Sequence, residues 1–271
     1  MVEYRYSGSS DIVKNYVSFN NETWRIIGVI PTDDGTGKYE ERLKIIRDES
    51  IGYYSWDTSA KGINDFICNN IQYYGGGINQ WGESGTYEGA DLMRLLNLGY
   101  ESESINNSLY WNRESGTCYN GSNNATTACD FSEIGLISDA KSMIGDAKWY
   151  TSTSNIGVET LDSYKNERGN MIGIADTGIS ITKTTSWIGK VGLMYPSDYG
   201  YASSGCRNGE QLLNYYNNDV CINTNWLYNT DSQWTNSPHS GNRNTVRYIH
   251  FSGLAGSTIN ALVFAVRLLH I

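Results

Sequence analysis

The sequence predicts an α+β protein with short twisted sheets, two or more helices and long irregular loops. Three observations support this prediction. Strand-like runs and turn residues dominate the first 50 residues, two short helical patterns follow between residues 90 and 149, and short strands and turns return from Trp187 onward. Strands and helices grouped in this way, without a repeat or a regular strand–helix alternation, are typical of α+β folds. No linker divides the chain, so we expect one domain over residues 1–271.

The N-terminal strands come first. Residues 17–30 form two strand-like halves around Asn20 and Asn21, a pair that accepts the positive φ angles of a tight hairpin turn. Residues 32–37 are rich in Asp and Gly and predict a second turn. A calcium loop is the alternative there, although the full 12-residue pattern is missing. Residues 41–47 predict a third strand.

Two helices are predicted in the middle of the chain. Residues 90–97 place three leucines on one face, and we expect this helix to end at Gly99, a residue suited to a helix C-cap. Residues 138–149 begin with Ser138, which can cap the helix, and Ile137 in front of it can pack against the first turn.

The composition is typical of an extracellular protein rich in strands and loops rather than of a cytosolic enzyme. Only 18% of the 271 residues are charged, whereas Tyr (21) and Gly (29) are abundant. Tyr supplies rigid contact area, and Gly, Ser and Asn supply adaptable loops, as in antibody paratopes. The net charge of -9 and the pI near 4.8 argue against nucleic acid as a partner.

The chain contains no run of 18 apolar residues and no signal peptide. We therefore expect an export or anchoring segment in front of Met1, and a location outside the cell or at its surface.

Five cysteines bear on the compartment. Cys118 and Cys129 enclose one polar loop, and Cys206 and Cys221 enclose a second, Asn-rich loop. Neither pair has the spacing or the neighbouring His of a metal site, so we expect two disulfides formed in an oxidising compartment. Cys68 has no obvious partner in this pairing. It is either buried as a free thiol or paired with a cysteine outside this chain.

Motifs for catalysis are not found. The triple glycine at 75–77 lacks the Lys of a phosphate-binding loop, and neither Gly-x-Ser-x-Gly nor His-Glu-x-x-His occurs. We therefore predict no catalytic residue, no metal ligand and no cofactor. Paired carboxylates of a glycoside hydrolase stay open, because they pair in space rather than in sequence. Trp226 and Trp234 are either sugar-stacking platforms or core residues.

The C-terminal segment differs chemically from the rest. Its three histidines, at positions 239, 250 and 270, are the only ones in the chain, and no Asp or Glu follows Asp231. From His239 to Phe264 there is no Lys, Glu, Gln, Met or Trp. Every residue type that occurs there has a codon ending in a pyrimidine, which is the outcome of randomising the adenines of Asn codons. The alternative is an ordinary Gly- and Ser-rich segment with accidental composition.

Several phrases resemble a family of exported bacterial proteins from Firmicutes and related lineages, which are often fused to prepilin-like or other membrane segments. They lie at residues 15–28, 45–52, 190–201 and 234–238, with a closing Val266-Arg267. The family resembles the formylglycine-generating-enzyme branch of the C-type lectin fold. Some members resemble variable proteins of diversity-generating retroelements, in which adenine-directed mutagenesis rewrites a C-terminal region. The chain departs from the family at Asn236, where Leu is usual, and the reactive cysteines of the enzymes are not visible.

The resemblance implies a C-type-lectin-like domain with a variable ligand-binding tract at about residues 236–264. It also implies that the C-terminal strand, residues 261–269, lies in or near the sheet of the N-terminal hairpin. Four tract residues have the size and spacing of buried or turn framework, namely Val246, Ile249, Gly253 and Ala255, and Arg267 joins them if it forms a structural ion pair. We expect the candidate binding residues on the other face of the strands and on loop tips: His239, Asn242, Arg243, Asn244, Tyr248, His250, Leu254, Thr258, Leu262 and Phe264.

Three functions compete. The leading hypothesis is a surface-displayed or pilus-linked protein that binds a protein or glycan ligand on another cell, a phage or a host. The alternative is a carbohydrate-binding adhesin of fixed specificity, with calcium as an optional ligand. An enzyme of the formylglycine-generating type or a hydrolase is the third.

Overall fold

The computed structural model describes residues 2–58, 66–68, 71–73, 81, 89–105, 107–121, 124–150, 160–167, 186–206, 216, 218–238, 245–259 and 263–270. Strands within these ranges are β1 Tyr4–Arg5, β2 Tyr16–Phe19, β3 Glu22–Asp33, β4 Tyr39–Arg47, β5 Tyr53–Ser55, β6 Phe66–Cys68, β7 Ile71–Tyr73, β8 Ser115–Tyr119, β9 Thr126–Asp130, β10 Ala147–Tyr150, β11 Ser186–Gly189, β12 Gly192–Leu193, β13 Gln233–Pro238, β14 Thr245–Ile249, β15 Ala255–Ile259, β16 Val263–Ala265 and β17 Leu268–His270. The helices are α1 Asp91–Leu96, α2 Leu109–Asn112, α3 Ser138–Met143, α4 Thr160–Asn166, α5 Pro196–Ala202 and α6 Asp219–Asn223. The predicted α+β class is confirmed.

Two larger sheets organise these elements. The N-terminal sheet has the order β1–β3–β4–β17–β12, with β2 also paired to β3. The C-terminal sheet has the order β15–β14–β13–β16–β5. Strands β13 and β16 run parallel, and the other pairs of both sheets are antiparallel. The expected C-terminal strand is therefore split, because β17 joins the sheet of the N-terminal hairpin while β16 joins the other sheet.

The N-terminal hairpin and the turn after it are confirmed. Asn20 and Asn21 have φ angles of 55° and 60°, as a two-residue turn between β2 and β3 requires. In the second turn, the Asp33 Oδ1 atom accepts the N–H groups of Gly35 at 2.9 Å and Gly37 at 3.0 Å. This carboxylate is engaged by backbone donors, which favours the hairpin turn over the calcium loop.

Helix α1 is confirmed, and its three leucines are buried: Leu92, Leu95 and Leu96. The prediction that Gly99 caps the C-terminus of this helix is wrong. The helix ends at Leu96, and its C-cap is Asn97, which has extended backbone angles. The physical reason is tertiary: the Asn97 side chain donates to the carbonyl of Val191 at 3.1 Å and accepts the N–H of Val191 at 3.0 Å.

The second predicted helix is shorter than expected. Ser138 is its first helical residue rather than its cap, and Ile137 occupies the cap position with extended angles. The helix ends at Met143, and the chain continues as β10 rather than as helix to Trp149. Pairing with β11 overrides the helical pattern there, and the Trp149 indole N–H donates to the carbonyl of Gly189 at 3.0 Å.

The segment after Trp187 contains helices that the sequence analysis missed. Helix α5 begins with Pro196, a residue favoured in the first turn, and the Asp198 carboxylate accepts the N–H of Tyr195 at 2.9 Å. Helix α6 is capped by Asn218, whose side chain accepts the N–H of Cys221 at 2.9 Å. In the sequence, Pro196 and Asn218 are the residues that could have indicated the starts of these two helices.

Two hydrophobic clusters form the core. The first contains Trp234 and Val246, and the second contains Trp226, Ile249 and Ala255. Members of the C-terminal sheet thus contribute to both clusters. Trp226 and Trp234 are 2% and 1% exposed, so both are core residues rather than open sugar-stacking platforms.

Both expected cysteine pairs are bonded. The Cα atoms are 5.9 Å apart for Cys118 and Cys129 and 5.1 Å apart for Cys206 and Cys221. The first pair links β8 to β9. Such bonds persist in oxidising compartments, which fits an extracellular location. None of the helices described here has the length and apolar character needed to cross a membrane.

Candidate ligand-binding face

The structure describes half of the ten candidate residues. Tyr248 lies in β14, His250 and Leu254 lie in the turn between β14 and β15, Thr258 lies in β15 and Phe264 lies in β16. The other candidates lie outside the described residues: His239, Asn242, Arg243, Asn244 and Leu262.

The framework and the candidate residues are not divided between two faces. Alternation along β14 puts Val246 and Tyr248 on one face, and Arg247 and Ile249 on the other. Val246 and Ile249 are both 0% exposed, whereas Tyr248 and His250 are half-buried. The expectation of opposite faces is therefore wrong. Both faces contribute to a hydrophobic cluster, so burial does not separate one face of β14 from the other.

Four half-buried candidates gather at this end of the sheet. The ring centroid of Phe264 lies 4.7 Å from that of Tyr248 and 4.6 Å from that of Trp234. The Tyr248 ring meets His250 at 6.0 Å, and the His250 N–H donates to the Leu254 carbonyl at 2.7 Å. We define the candidate face as these residues without the buried Trp234: Tyr248, His250, Leu254 and Phe264.

The candidate face rests on a fixed support. The Trp234 indole N–H donates to the carbonyl of Tyr54 at 2.8 Å, which links β13 to β5 beneath Phe264. Gly256, opposite Tyr248 in β15, leaves space for the tyrosine ring, because a Cβ atom at position 256 would lie 2.7 Å from it. The Tyr248 ring thus lies over the neighbouring strand rather than projecting freely.

The turn after β14 presents a residue that sequence analysis did not select. Phe251 is 56% exposed, and its ring centroid lies 3.8 Å from that of His250. The Ser252 N–H donates to His250 Nδ1 at 3.2 Å, so in the neutral ring Nε2 carries the proton. Gly253 closes the turn with a φ of 89°. An apolar residue next to Ser-Gly in a turn was the available signal for Phe251.

Strand β13 is buried along its whole length. Asn236 is 0% exposed, and among the described residues neither amide atom of its side chain has a hydrogen-bond partner. Its backbone N–H donates to the Met194 carbonyl at 2.9 Å. The buried amide of Gln233 likewise has no partner within the part of the chain that the structure describes. Asn236 is therefore a core residue, although it begins the proposed tract.

The arginines near the tract are structural. Arg267 forms the expected ion pair, with its guanidinium 3.8 Å from Asp48 Oδ1, and its Nε donates to the Arg47 carbonyl at 2.9 Å. Burial lowers the pKa of Arg267 to about 10. Burial also lowers the pKa of Arg247 to about 10.

The candidate face offers aromatic and aliphatic contact area, with the imidazole of His250 and the hydroxyl of Tyr248 as its polar side-chain groups. Among the described residues, no three His, Cys, Asp or Glu side chains are grouped to hold a metal ion. No family model, curated protein or solved structure matches this chain.

Proposed function

We propose that this protein is an exported ligand- or receptor-binding protein with a C-type-lectin-like domain, displayed at a cell surface through a pilus or membrane anchor. Its C-terminal face binds a macromolecular partner, a protein or glycan on another cell, a phage or a host. Adenine-directed mutagenesis diversifies residues 236–264, in the manner of retroelement variable proteins. The protein acts by binding rather than by catalysis.

The contrast in burial within the tract supports the proposal best. Val246, Ile249 and Ala255 are fully buried, whereas Tyr248 and Phe264 are half-buried at one end of the sheet. Half-buried residues at a strand end carry less of the folding free energy than buried ones, so they tolerate replacement better. Such an arrangement allows variation without loss of the fold.

The chemistry of the candidate face suits macromolecular recognition. Aromatic residues dominate binding hot spots, because they bury large areas with few rotatable bonds. The rings of Tyr248 and Phe264 already pack on each other at 4.7 Å, so little side-chain entropy is lost on binding.

The carbohydrate-binding adhesin is the second candidate. A half-exposed Tyr248 beside the imidazole of His250 combines a stacking ring with a hydrogen-bonding group, which is also the chemistry of a sugar site. In this case the face has one fixed sequence and one glycan class as ligand.

Sequencing the gene and its flanks in many isolates tests diversification. We expect a reverse transcriptase gene nearby and a near-copy of the last ~100 nucleotides that differs only at adenines, because Asn codons yield the tract composition. Amino-acid differences should fall at Tyr248, His250 and Phe264 and spare Val246 and Ile249. Differences spread evenly over buried and half-buried positions would contradict the proposal.

A glycan array tests the alternative. The wild-type protein and a Tyr248→Ser variant are applied to the same printed glycans. Saturable binding to one glycan class that the variant loses, together with an invariant gene, would favour the adhesin over the diversified receptor. A Tyr39→Ser variant, which changes an exposed tyrosine of the N-terminal sheet, is the matched control.

A further inference from the structure

A second exposed group lies at the corner where β13 begins. Tyr53, at the start of β5, is 50% exposed and donates its hydroxyl to Asp231 Oδ2 at 2.8 Å. Phe251 is joined to the same corner, because its N–H donates to Ser232 Oγ at 3.2 Å. In the sheet order, β14 and β5 lie on opposite sides of β13. Phe251 and Tyr53 therefore belong to the same corner of the sheet as Asp231.

This corner is held in place before any ligand binds. The hydroxyl of Tyr228 donates to the Phe251 carbonyl at 2.9 Å, so both backbone groups of Phe251 are bonded to side chains. The Asp231 N–H donates to Asn229 Oδ1 at 3.2 Å. Fixed groups lose little entropy on binding, which favours a specific contact.

The charge at this corner is uncompensated. Across the described residues, the Asp231 carboxylate has the neutral hydroxyl of Tyr53 as its partner and no ion pair with Lys, Arg or His. The nearby arginines of the C-terminal segment, Arg247 and Arg267, are buried. The chain as a whole carries a net charge of -9, which attracts basic partners.

We propose that Tyr53, Asp231 and Phe251 form a receptor for an arginine side chain of a protein partner. The carboxylate pairs with the guanidinium, and the exposed rings of the same corner supply cation–π contact. A guanidinium fits better than an ammonium, because it is planar and stacks on aromatic rings. The inference rests on the proposed binding function and deepens it, since it specifies a basic protein rather than a glycan as the partner of the tract sequence present here, in which position 251 is Phe.

Titration with small peptides tests directly whether this corner binds an arginine side chain. The amidated tripeptides Gly-Arg-Gly, Gly-Lys-Gly and Gly-Gln-Gly are added to isotope-labelled protein, and the NMR shifts of the amides of Tyr53, Asp231 and Phe251 are followed. We expect saturable shifts at these amides with Gly-Arg-Gly, weaker binding of Gly-Lys-Gly, and none with Gly-Gln-Gly. Equal shifts with Gly-Gln-Gly and Gly-Arg-Gly would overturn the proposal.

Matched variants separate charge from shape. Asp231→Asn keeps the side-chain size and should weaken Gly-Arg-Gly binding roughly tenfold or more, the usual loss for a hydrogen bond to a charged group. Phe251→Ala should weaken it by a few-fold, about the size of a cation–π contact. Asp11→Asn, which removes the same charge at another exposed position, should bind like the wild type. Wild-type affinity in Asp231→Asn would overturn the proposal.

The outcome is independent of the diversification test. If the gene shows no diversification but Gly-Arg-Gly binds at Asp231, the arginine receptor stands and the variable tract fails. If diversification is found but the peptide shifts are absent, the variable tract stands and the arginine receptor fails.

Discussion

The Lys44 ammonium lies 2.9 and 2.7 Å from the two carboxylate oxygens of Asp198, and both side chains are buried. The pair connects β4 of the N-terminal sheet to helix α5. Arg5, from β1, reaches the same carboxylate at 2.6 Å. Burial by itself would raise the pKa of Asp198, but the charges of Lys44 and Arg5 outweigh it and hold this pKa well below its usual range. Three distant segments thus meet at one buried charge cluster.

We expect Asp198→Ala to lower the free energy of unfolding by about 3–5 kcal/mol, because the buried Lys44 ammonium loses the carboxylate it pairs with and Arg5, among the described residues, keeps only its pair with Glu3 as an ion pair. Urea denaturation at pH 7 measures this loss. Glu40→Gln is the control, since it breaks the exposed pair of Glu40 with Lys38 and should leave the midpoint unchanged. Equal midpoint shifts in both variants would contradict a special role for the buried cluster.

His270 should make the fold sensitive to acid. Its ring is buried between Trp24 and Phe19, at centroid distances of 4.9 and 5.6 Å, and Nδ1 donates to the Lys190 carbonyl at 3.3 Å. Burial lowers the pKa of His270 from 6.5 to about 4. A histidine with a depressed pKa stabilises the fold fully above the unfolded-state pKa, and this stability is lost as the pH falls from 6.5 toward 4.

The expected loss from His270 is about 3 kcal/mol by pH 4, the free-energy equivalent of this pKa change. Denaturation midpoints of the wild type and His270→Gln at pH 7.5, 5.5 and 4.5 give the measurement. The Gln variant is less stable at pH 7.5 but should lose less stability on acidification. Parallel pH profiles for the two proteins would show that His270 is not the source.

Asn236→Leu should stabilise the protein by about 1–2 kcal/mol. The amide of Asn236 is buried with no partner among the described residues, and an apolar side chain with the same number of heavy atoms removes that desolvation cost while keeping the backbone bond to Met194. Thr235→Val is the matched variant, because it removes the bond from Thr235 Oγ1 to the Arg247 carbonyl at 2.9 Å and should destabilise. A lower melting temperature for Asn236→Leu would indicate that water or another partner satisfies the amide.

Trp234→Ala should cost roughly 3–5 kcal/mol, as expected for truncating a buried tryptophan. Tyr248→Ala should cost about 1–2 kcal/mol, because the ring is half-buried and loses its contacts with Phe264 and Trp234. We expect the joint replacement of His239, Arg243, Tyr248 and His250 by Ala to cost less than Trp234→Ala, because Tyr248 and His250 are only half-buried. Thermal melts of the three variants decide the order. If the quadruple variant were less stable than Trp234→Ala, the four tract residues would belong to the folding scaffold and their assignment to the binding site would be wrong.

Local signals in the sequence predicted several features correctly. Asn20 and Asn21 tolerate positive φ angles without help from the rest of the fold, so the first hairpin could be located from two residues. The two cysteine pairs were found in the same way, since each encloses a short polar loop. The leucines of α1 have helical spacing, and their burial followed from it.

Tertiary contacts decided what local signals could not. The helix expected to reach Trp149 stops at Met143, because pairing between β10 and β11 is worth more than continued helical bonds. The half-buried positions of the tract depend on how both faces of the C-terminal sheet are covered, which spacing along one strand does not encode. The hydrogen bond between Tyr53 and Asp231 joins two residues that are 178 positions apart in the sequence. Sequence patterns fix backbone preference over a few residues, whereas exposure and charge pairing depend on segments that only folding brings together.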